Sequence, residues 1–341
     1  MPPKELPTLP TVSPLRSAFM KIGFIGQGWI GKNYANDFEN RGYKTVRYAL
    51  EAPYVGNKEK IKDCDIVFIA VPTPTTPAGF DAGIVEESLK LVGPGKIAVI
   101  KSTVIPGSTK RLQEMHPNII VLYAPEFLSE ATAAEDAAHP FANIIGLPQE
   151  SASARAAAES VMGVLPKAPF NLTSTSTEAE FIKYSHNING YFQVMLANVL
   201  YDAAQRLGAN WEVVRGALDH DPYIANRYGR PVHKSGRGAG GGCFIKDFAA
   251  FRELYLRLCP EDARGHAMLA ALEAKNVDLL TTSGKDLHLL HGVYGPEPLK
   301  TRAYRIFPPL RHAEKALVAG GSTVVLLGAL SAVFMLAGIL R

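Results

Sequence analysis

The chain has 341 residues, 47% hydrophobic and 20% charged, which suits one large or two medium domains with real cores and excludes a disordered polymer. A formal net charge of +4 is small for this length, and no Lys/Arg block interleaves with aromatics, so a nucleic-acid footprint is absent. The three cysteines, Cys64, Cys243 and Cys259, are odd in number and lack CxxC spacing, which disfavours a disulfide framework or a metal site and favours a reducing, cytoplasmic setting.

In chain order, residues 1–19 are proline-rich without an apolar h-region, which rules out a secretory signal and reads as a disordered leader or an over-extended start before Met20. Short apolar runs at 21–25, 44–48, 65–71, 96–101, 119–122 and 143–146 then alternate with helical patterns, predicting a doubly wound parallel sheet over 20–150. Residues 178–207 carry apolar positions at helical spacing with Gly190 as their interior breaker, so a long central helix is expected. A glycine-rich loop from Gly236 to Gly242 leads into helices at 244–258 and 264–280, giving an all-helical second domain over 175–280. Residues 281–315 read as a linker. Residues 316–340 hold no charge and are long enough for a hydrocarbon core that needs about 20 residues, so a C-terminal transmembrane helix is expected, with a buried core helix as the alternative. Arg302, Arg305, Arg311, His312 and Lys315 precede that stretch and only Arg341 follows it, which would leave the body on the cytoplasmic face of the membrane.

The segment from Lys21 to Gly31 places Gly26, Gly28 and Gly31 as GxGxxG between a strand and a helix. Gly26 permits the tight turn, Gly28 the approach of a pyrophosphate, and Gly31 the packing of helix on strand, with Ile30 in the turn at the helix start. Glu51 is the nearby acid for ribose hydroxyls, whereas Arg47 would accept a 2′-phosphate, so NAD is favoured with NADP open.

Two loops stand at the carboxyl ends of strands, where such sheets bind ligands: Val71-Pro72-Thr73-Pro74-Thr75 and the run from Lys101 to Gly107 that contains Thr103. Thr103 offers a hydroxyl to the site or merely caps a helix. In Ala124-Pro-Glu-Phe-Leu-Ser-Glu130, Glu126 and Glu130 would share a helix face, as surface carboxylates or as groups that position water. Lys183 and Asn187 lie one turn apart on the long helix, so an ammonium and an amide can converge on one oxyanion. Cys243 and Asp247 repeat the spacing, and a thiol at a helix start feels amide dipoles that lower its pKa. Cys64 and Cys259 read as small buried hydrophobes.

These segments together resemble the UDP-glucose/GDP-mannose dehydrogenase family, whose members read VPTPT, STVPPG, PEFLREG, AE..KY..N and GxGxGGSCFPKD; the match runs from about residue 20 to about 280. The resemblance implies NAD-dependent oxidation of a nucleotide sugar's primary alcohol to the uronic acid in two steps at one site. Cys243 would capture the aldehyde as a thiohemiacetal that is oxidised to a thioester and cleaved by water. It further implies that Asp247 assists deprotonation through water, that Lys183 and Asn187 stabilise oxyanions, and that Glu130, with Glu126 and Thr103, positions or activates the hydrolytic water. Val71, Pro72, Thr73 and Thr103 would contact the cofactor. A homodimer built on the long helix is expected, and a membrane-tethered enzyme supplying a surface polysaccharide is the corresponding setting.

The chain departs from that pattern in three places, besides a region between the second strand and Asp65 that is much shorter than usual. The family's third domain, which binds the nucleotide, has a linker and the expected span in its place; the DPRIG arginine is Tyr223 within 221–225, with Arg227 one turn on as a substitute; and Phe141-Ala-Asn143 lacks an arginine before its strand. Two other readings therefore stand beside the first: a two-electron hydroxyacid or phosphogluconate type of dehydrogenase that needs no cysteine, and a non-catalytic dinucleotide-binding scaffold.

Overall fold

The computed structural model describes residues 20–224 and 227–296. The leader, 1–19, and the expected span, 316–340, lie outside the described residues, as does most of the expected linker.

Strands β1 (Ile22–Ile25), β3 (Ile66–Ile69), β6 (Ile97–Ile100) and β7 (Ile120–Tyr123) are short, continuous apolar runs. Such runs suit strands covered on both faces, and β1 and β3 are buried along their whole length. Helix α1 (Trp29–Asn40) connects β1 to the edge strand β2 (Thr45–Tyr48), and a 3-10 helix (Val55–Asp63) leads into β3. A small hairpin of β4 (Thr75–Thr76) and β5 (Gly79–Phe80) precedes α2 (Gly83–Leu89), and α3 (Ser108–Met115) joins β6 to β7. The half closes with α4 (Ala133–Ala138), β8 (Ala142–Leu147), α5 (Ala152–Val164) and β9 (Phe170–Thr175).

The sheet order is β2-β1-β3-β6-β7-β8-β9, with the order reversing between β1 and β3. Its first five strands are parallel, but β8 meets β7 antiparallel through Tyr123 and Gly146, and β9 then lies parallel to β8. The wholly parallel sheet expected from sequence is therefore mixed. The connection after β7 stays at the site end, and α4, at about 9 Å for six residues, is too short to carry the chain back to the start of β7. One core face packs Phe24 and Phe68 against Tyr34, Phe38 and the alanine-rich side of α5. The other packs Val67 and Ile69 against Ile61, Val85, Leu89 and Leu112.

Helix α6 (Ser176–Arg206) begins directly after β9. Thr175 and Glu178 form a capping box: the Glu178 amide donates to Thr175 Oγ1 at 3.3 Å and the Thr175 amide donates to Glu178 Oε2 at 2.9 Å. The second domain continues with α7 (Trp211–Asp219), a two-residue ladder of β10 (Val232–His233) and β11 (Gly236–Arg237), α8 (Gly241–Leu258), α9 (Ala263–Ser283) and α10 (Leu287–Tyr294). It is helical apart from that hairpin, and α10 makes the start of the expected linker a packed element. Tyr191 stacks on Phe248 with ring centroids 3.9 Å apart, joining α6 to α8.

The architecture of the described residues is thus corrected to a Rossmann-like α/β domain followed by a helical domain. Among the described residues no helix is long and apolar enough to cross a membrane, so the single-pass anchor and the membrane-face placement built on it are withdrawn.

Gly146 is where β8 meets α6: a Cβ there would lie 2.6 Å from Ser176 Cα and 2.8 Å from Ala179 Cβ. Gly146→Val should cost about 1–3 kcal/mol, the usual range for overpacking, read as a lower urea midpoint with an unchanged slope.

Candidate active site at the carboxyl ends of the strands

Gly26 adopts φ +90, and a Cβ on it would lie 2.2 Å from the Ala70 carbonyl oxygen. A Cβ on Gly31 would lie 2.0 Å from the Gly26 carbonyl oxygen, whereas nothing stands within 4 Å of the same position on Gly28. Two glycines thus close the turn and the third leaves open space before the amides of α1, including that of Ile30. No side chain caps Gly28, so those amides remain available to an anion. The loops after β3 and β6 are tied together: Val71 N–H donates to Ser102 Oγ at 3.0 Å, and Thr73 Oγ1 donates to the Thr103 carbonyl at 2.7 Å. Pro72 stands exposed between them. Glu51 is exposed in the turn after β2, its carbonyl accepting from Tyr54 and Val55. Arg47 is committed elsewhere, its Nη2 2.6 Å from Glu39 Oε2. Freeing it in Glu39→Gln should tighten NADP binding several-fold with little effect on NAD, measured by titrating both cofactors.

The second cluster joins the loop after β7 to α6 and α8. Lys183 Nζ lies 2.9 Å from Glu126 Oε1 and donates to the Glu126 carbonyl at 2.6 Å, with both side chains buried. Glu126 Oε2 accepts from the Leu128 amide at 2.9 Å. Burial works to lower the Lys183 ammonium, but Glu126, Cys243 and Asp247 outweigh it and hold the group above its ordinary value. Asn187 Nδ2 donates to Asp247 Oδ2 at 2.6 Å, and Lys246 Nζ donates to Oδ1 at 2.6 Å.

Cys243 sits in the first turn of α8 and opens to solvent. Crowding by surrounding protein, and next the Asp247 carboxylate, push its thiol up against the opposing pull of Lys246 and Lys183. The depressed thiol expected from the helix dipole is therefore reversed, because desolvation and a like charge act more strongly at this position. The glycine-rich loop before it is clamped from α9 and the turn that follows it: Ala239 N–H donates to Asn276 Oδ1 at 2.7 Å, Lys285 Nζ to the Gly238 carbonyl at 2.9 Å, and Gly241 N–H to Asp286 Oδ2 at 2.8 Å.

The structure brings Lys183, Asn187, Asp247, Cys243 and Glu126 into one electrostatic cluster. Glu130 pairs outside it with Lys234, and the Thr103 carbonyl is tied to Thr73. Residues 124–129 form an irregular loop rather than a helix, so Glu126 turns inward while Glu130, exposed, pairs with Lys234. Lys234 adopts φ 55, a left-handed conformation that costs a non-glycine residue energy and is concentrated at functional sites. It escaped the sequence reading because an isolated lysine in a turn carries no pattern. Lys101 escaped too, although a lysine closing an apolar strand is a signal in itself. It is buried, donates to the Ala124 carbonyl at 3.2 Å and lies 4.2 Å from the Tyr34 ring centroid. Burial, opposed by Glu126, lowers its pKa to about 8. Tyr223 is 96% exposed and reaches nothing in the site, while Arg227 approaches His186.

His186 packs on Phe127 with ring centroids 5.0 Å apart, and burial, then Lys183 and Arg227, lower its pKa from 6.5 to about 4. In the unfolded chain the imidazole takes its proton near 6.5, in the folded protein only near 4, so stability is lost as pH falls through that window. His186→Gln should flatten this acid limb, read as a smaller drop in urea midpoint between pH 7.5 and 5 than in the parent.

Residues 50–162 match the NAD-binding domain of the UDP-glucose/GDP-mannose dehydrogenase family and residues 177–272 its central domain, together more than half of the chain. The first match begins beyond the glycine loop, which belongs to the same sheet through β1. NAD is accordingly the cofactor. The UDP-glucose 6-dehydrogenase AglM of Haloferax volcanii is 27% identical over 281 residues, covering 68% of this chain and 64% of that protein. The UDP-glucose 6-dehydrogenase of Rickettsia prowazekii is 30% identical, with 69% and 62% covered. The chain thus spans less than two thirds of the length of these relatives. A UDP-glucose dehydrogenase structure from the hyperthermophilic archaeon Pyrobaculum islandicum superposes with a TM-score of 0.66 at 27% identity, covering 78% of this chain and 70% of that one. With its buried Lys183–Glu126 pair and its cysteine-bearing helix within the residues matched, the chain belongs to the UDP-glucose/GDP-mannose dehydrogenase family.

Proposed function

We propose that the protein oxidises the primary alcohol of a nucleotide sugar, with UDP-glucose as the first candidate, to the uronic acid through a covalent intermediate on Cys243. The observation that carries this reading is the convergence of Lys183, Asn187 and Asp247 on the region of the Cys243 thiol, a combination of oxyanion donors, carboxylate and nucleophile that a two-electron dehydrogenase does not need. UDP-glucose is chosen because it is named for the relatives above.

NAD, when bound, supplies the hydride acceptor for each of two successive oxidations. The chain's own residues do the rest. The Lys183 ammonium, held charged by Glu126, and the Asn187 amide donate hydrogen bonds to the substrate oxygen as negative charge gathers there. The thiol rests protonated, so its deprotonation accompanies attack on the aldehyde carbon, and Asp247, one helical turn along α8, takes the proton directly or through water. A C–S bond forms as the carbonyl π bond breaks, and the proton taken from the thiol passes from Asp247 through water to the oxygen, which becomes the thiohemiacetal hydroxyl. Loss of hydride from carbon and a proton from oxygen leaves a thioester, and water cleaves it to carboxylate and free thiol. Glu130, freed from Lys234 by the arriving substrate, would position that water. The exposed apolar side chains of α6, among them Leu196, Val199 and Leu200, support a homodimer along this helix.

With UDP-glucose, the parent should form two NADH per sugar consumed, and Cys243→Ser should lower turnover at least about 100-fold and stop before the acid. One NADH per sugar with an active Cys243→Ser would replace this reading with a two-electron one.

A further inference from the structure

On the α1 side of the loop after β7 lies a cavity of about 150 Å³, with Lys101, Tyr34, Phe127 and Asn143 in its wall and the exposed Arg227 at its rim. Lys101 is 3% exposed. An ammonium has three donors to place. One reaches the Ala124 carbonyl at 3.2 Å and another direction is covered by the Tyr34 ring, 4.2 Å away. Glu126, the carboxylate that acts on Lys101, is already paired with Lys183, and among the described residues no carboxylate lies within ion-pair distance of Lys101. The other titratable groups in the wall do not fill that role. Asp136 Oδ2 accepts from the Ser129 amide and the Thr132 hydroxyl, each at 2.8 Å, and the His139 ring lies 3.7 Å from Glu135. A buried cation thus faces an open polar space with a second cation at its entrance.

We propose that this cavity binds a small oxyanion, a carboxylate or phosphate group, gripped by Lys101 from within and by Arg227 from the rim. The charges decide the class: a cationic or purely apolar occupant would leave Lys101 uncompensated, whereas an oxyanion accepts its free donor and offers a planar or tetrahedral set of oxygens to a guanidinium. The site is separate from the glycine loop, where a pyrophosphate would lie, and does not depend on the activity proposed above.

Thermal unfolding of the full chain at fixed ionic strength tests it, with chloride replaced stepwise by inorganic phosphate in one series and by acetate in another. A saturating rise in Tm is expected in at least one series, and the more effective ion shows whether the pocket prefers a tetrahedral or a planar group. Lys101→Met should weaken that binding by at least about tenfold while NAD binding, titrated in parallel, is retained. Arg227→Gln changes only an exposed side chain, should weaken binding several-fold, and decides the matter should Lys101→Met not fold. A rise that fails to saturate in both series, or one that persists undiminished in the folded variants, overturns the proposal.

Discussion

The buried contact between Lys183 and Glu126 is the constraint on which the site depends. Taking an ammonium and a carboxylate out of water costs several kcal/mol per ion, and that cost is met only when geometry is good and the remaining donors and acceptors are satisfied. Here the ammonium reaches both the carboxylate and the backbone carbonyl of Glu126, and the second carboxylate oxygen takes the Leu128 amide. The contact joins the loop that leaves the sheet to the helix that begins the second domain. Asn187 stands one turn further along α6 and holds Asp247 of α8, so the placement of the cysteine helix follows from the same anchor.

Charge within the cluster is balanced before any substrate arrives. Two lysines, Lys183 and Lys246, face two carboxylates, Glu126 and Asp247. A thiolate at Cys243 would be an unmatched fifth charge beside Asp247, and crowding by protein together with that carboxylate pushes the thiol up. A substrate whose oxygen draws on Lys183 changes that balance at the moment the nucleophile is needed. A neutral resting thiol is also slower to oxidise than a thiolate, which suits a cysteine that opens to solvent.

Several features were readable from the linear chain because each is a local pattern with one structural solution. The glycines at 26 and 31 announce backbone approaches that no other residue permits, and the apolar runs of β1, β3, β6 and β7 announce strands covered on both faces. The long helix was visible through its period, and its structure begins within two residues of the predicted start. Strand β9 was not visible, because Phe170-Asn-Leu-Thr-Ser-Thr175 is a polar edge strand that neither alternates nor forms an apolar run. The reversal of β8 escaped for another reason: strand direction is set by the path of the connecting loop, which leaves no periodic trace. The spacing of Glu126 and Glu130 suggested a shared helix face, but Pro125 and the bond from the Leu128 amide to Glu126 keep the segment irregular, and the two carboxylates part.

The amino-acid sequence by itself determined the succession of an α/β domain and a helical domain, the glycine turn after β1 and the long helix α6, because glycine geometry, hydrophobic period and residue chemistry are properties of short segments. Only the tertiary structure decided which charges pair. It gave Glu126 rather than Glu130 to Lys183, gave Arg47 to Glu39, left Lys101 buried beside a cavity, and set the Cys243 thiol high rather than low. Ionisation and pairing depend on desolvation and on charges brought together from distant parts of the chain, and both quantities exist only once the chain is folded.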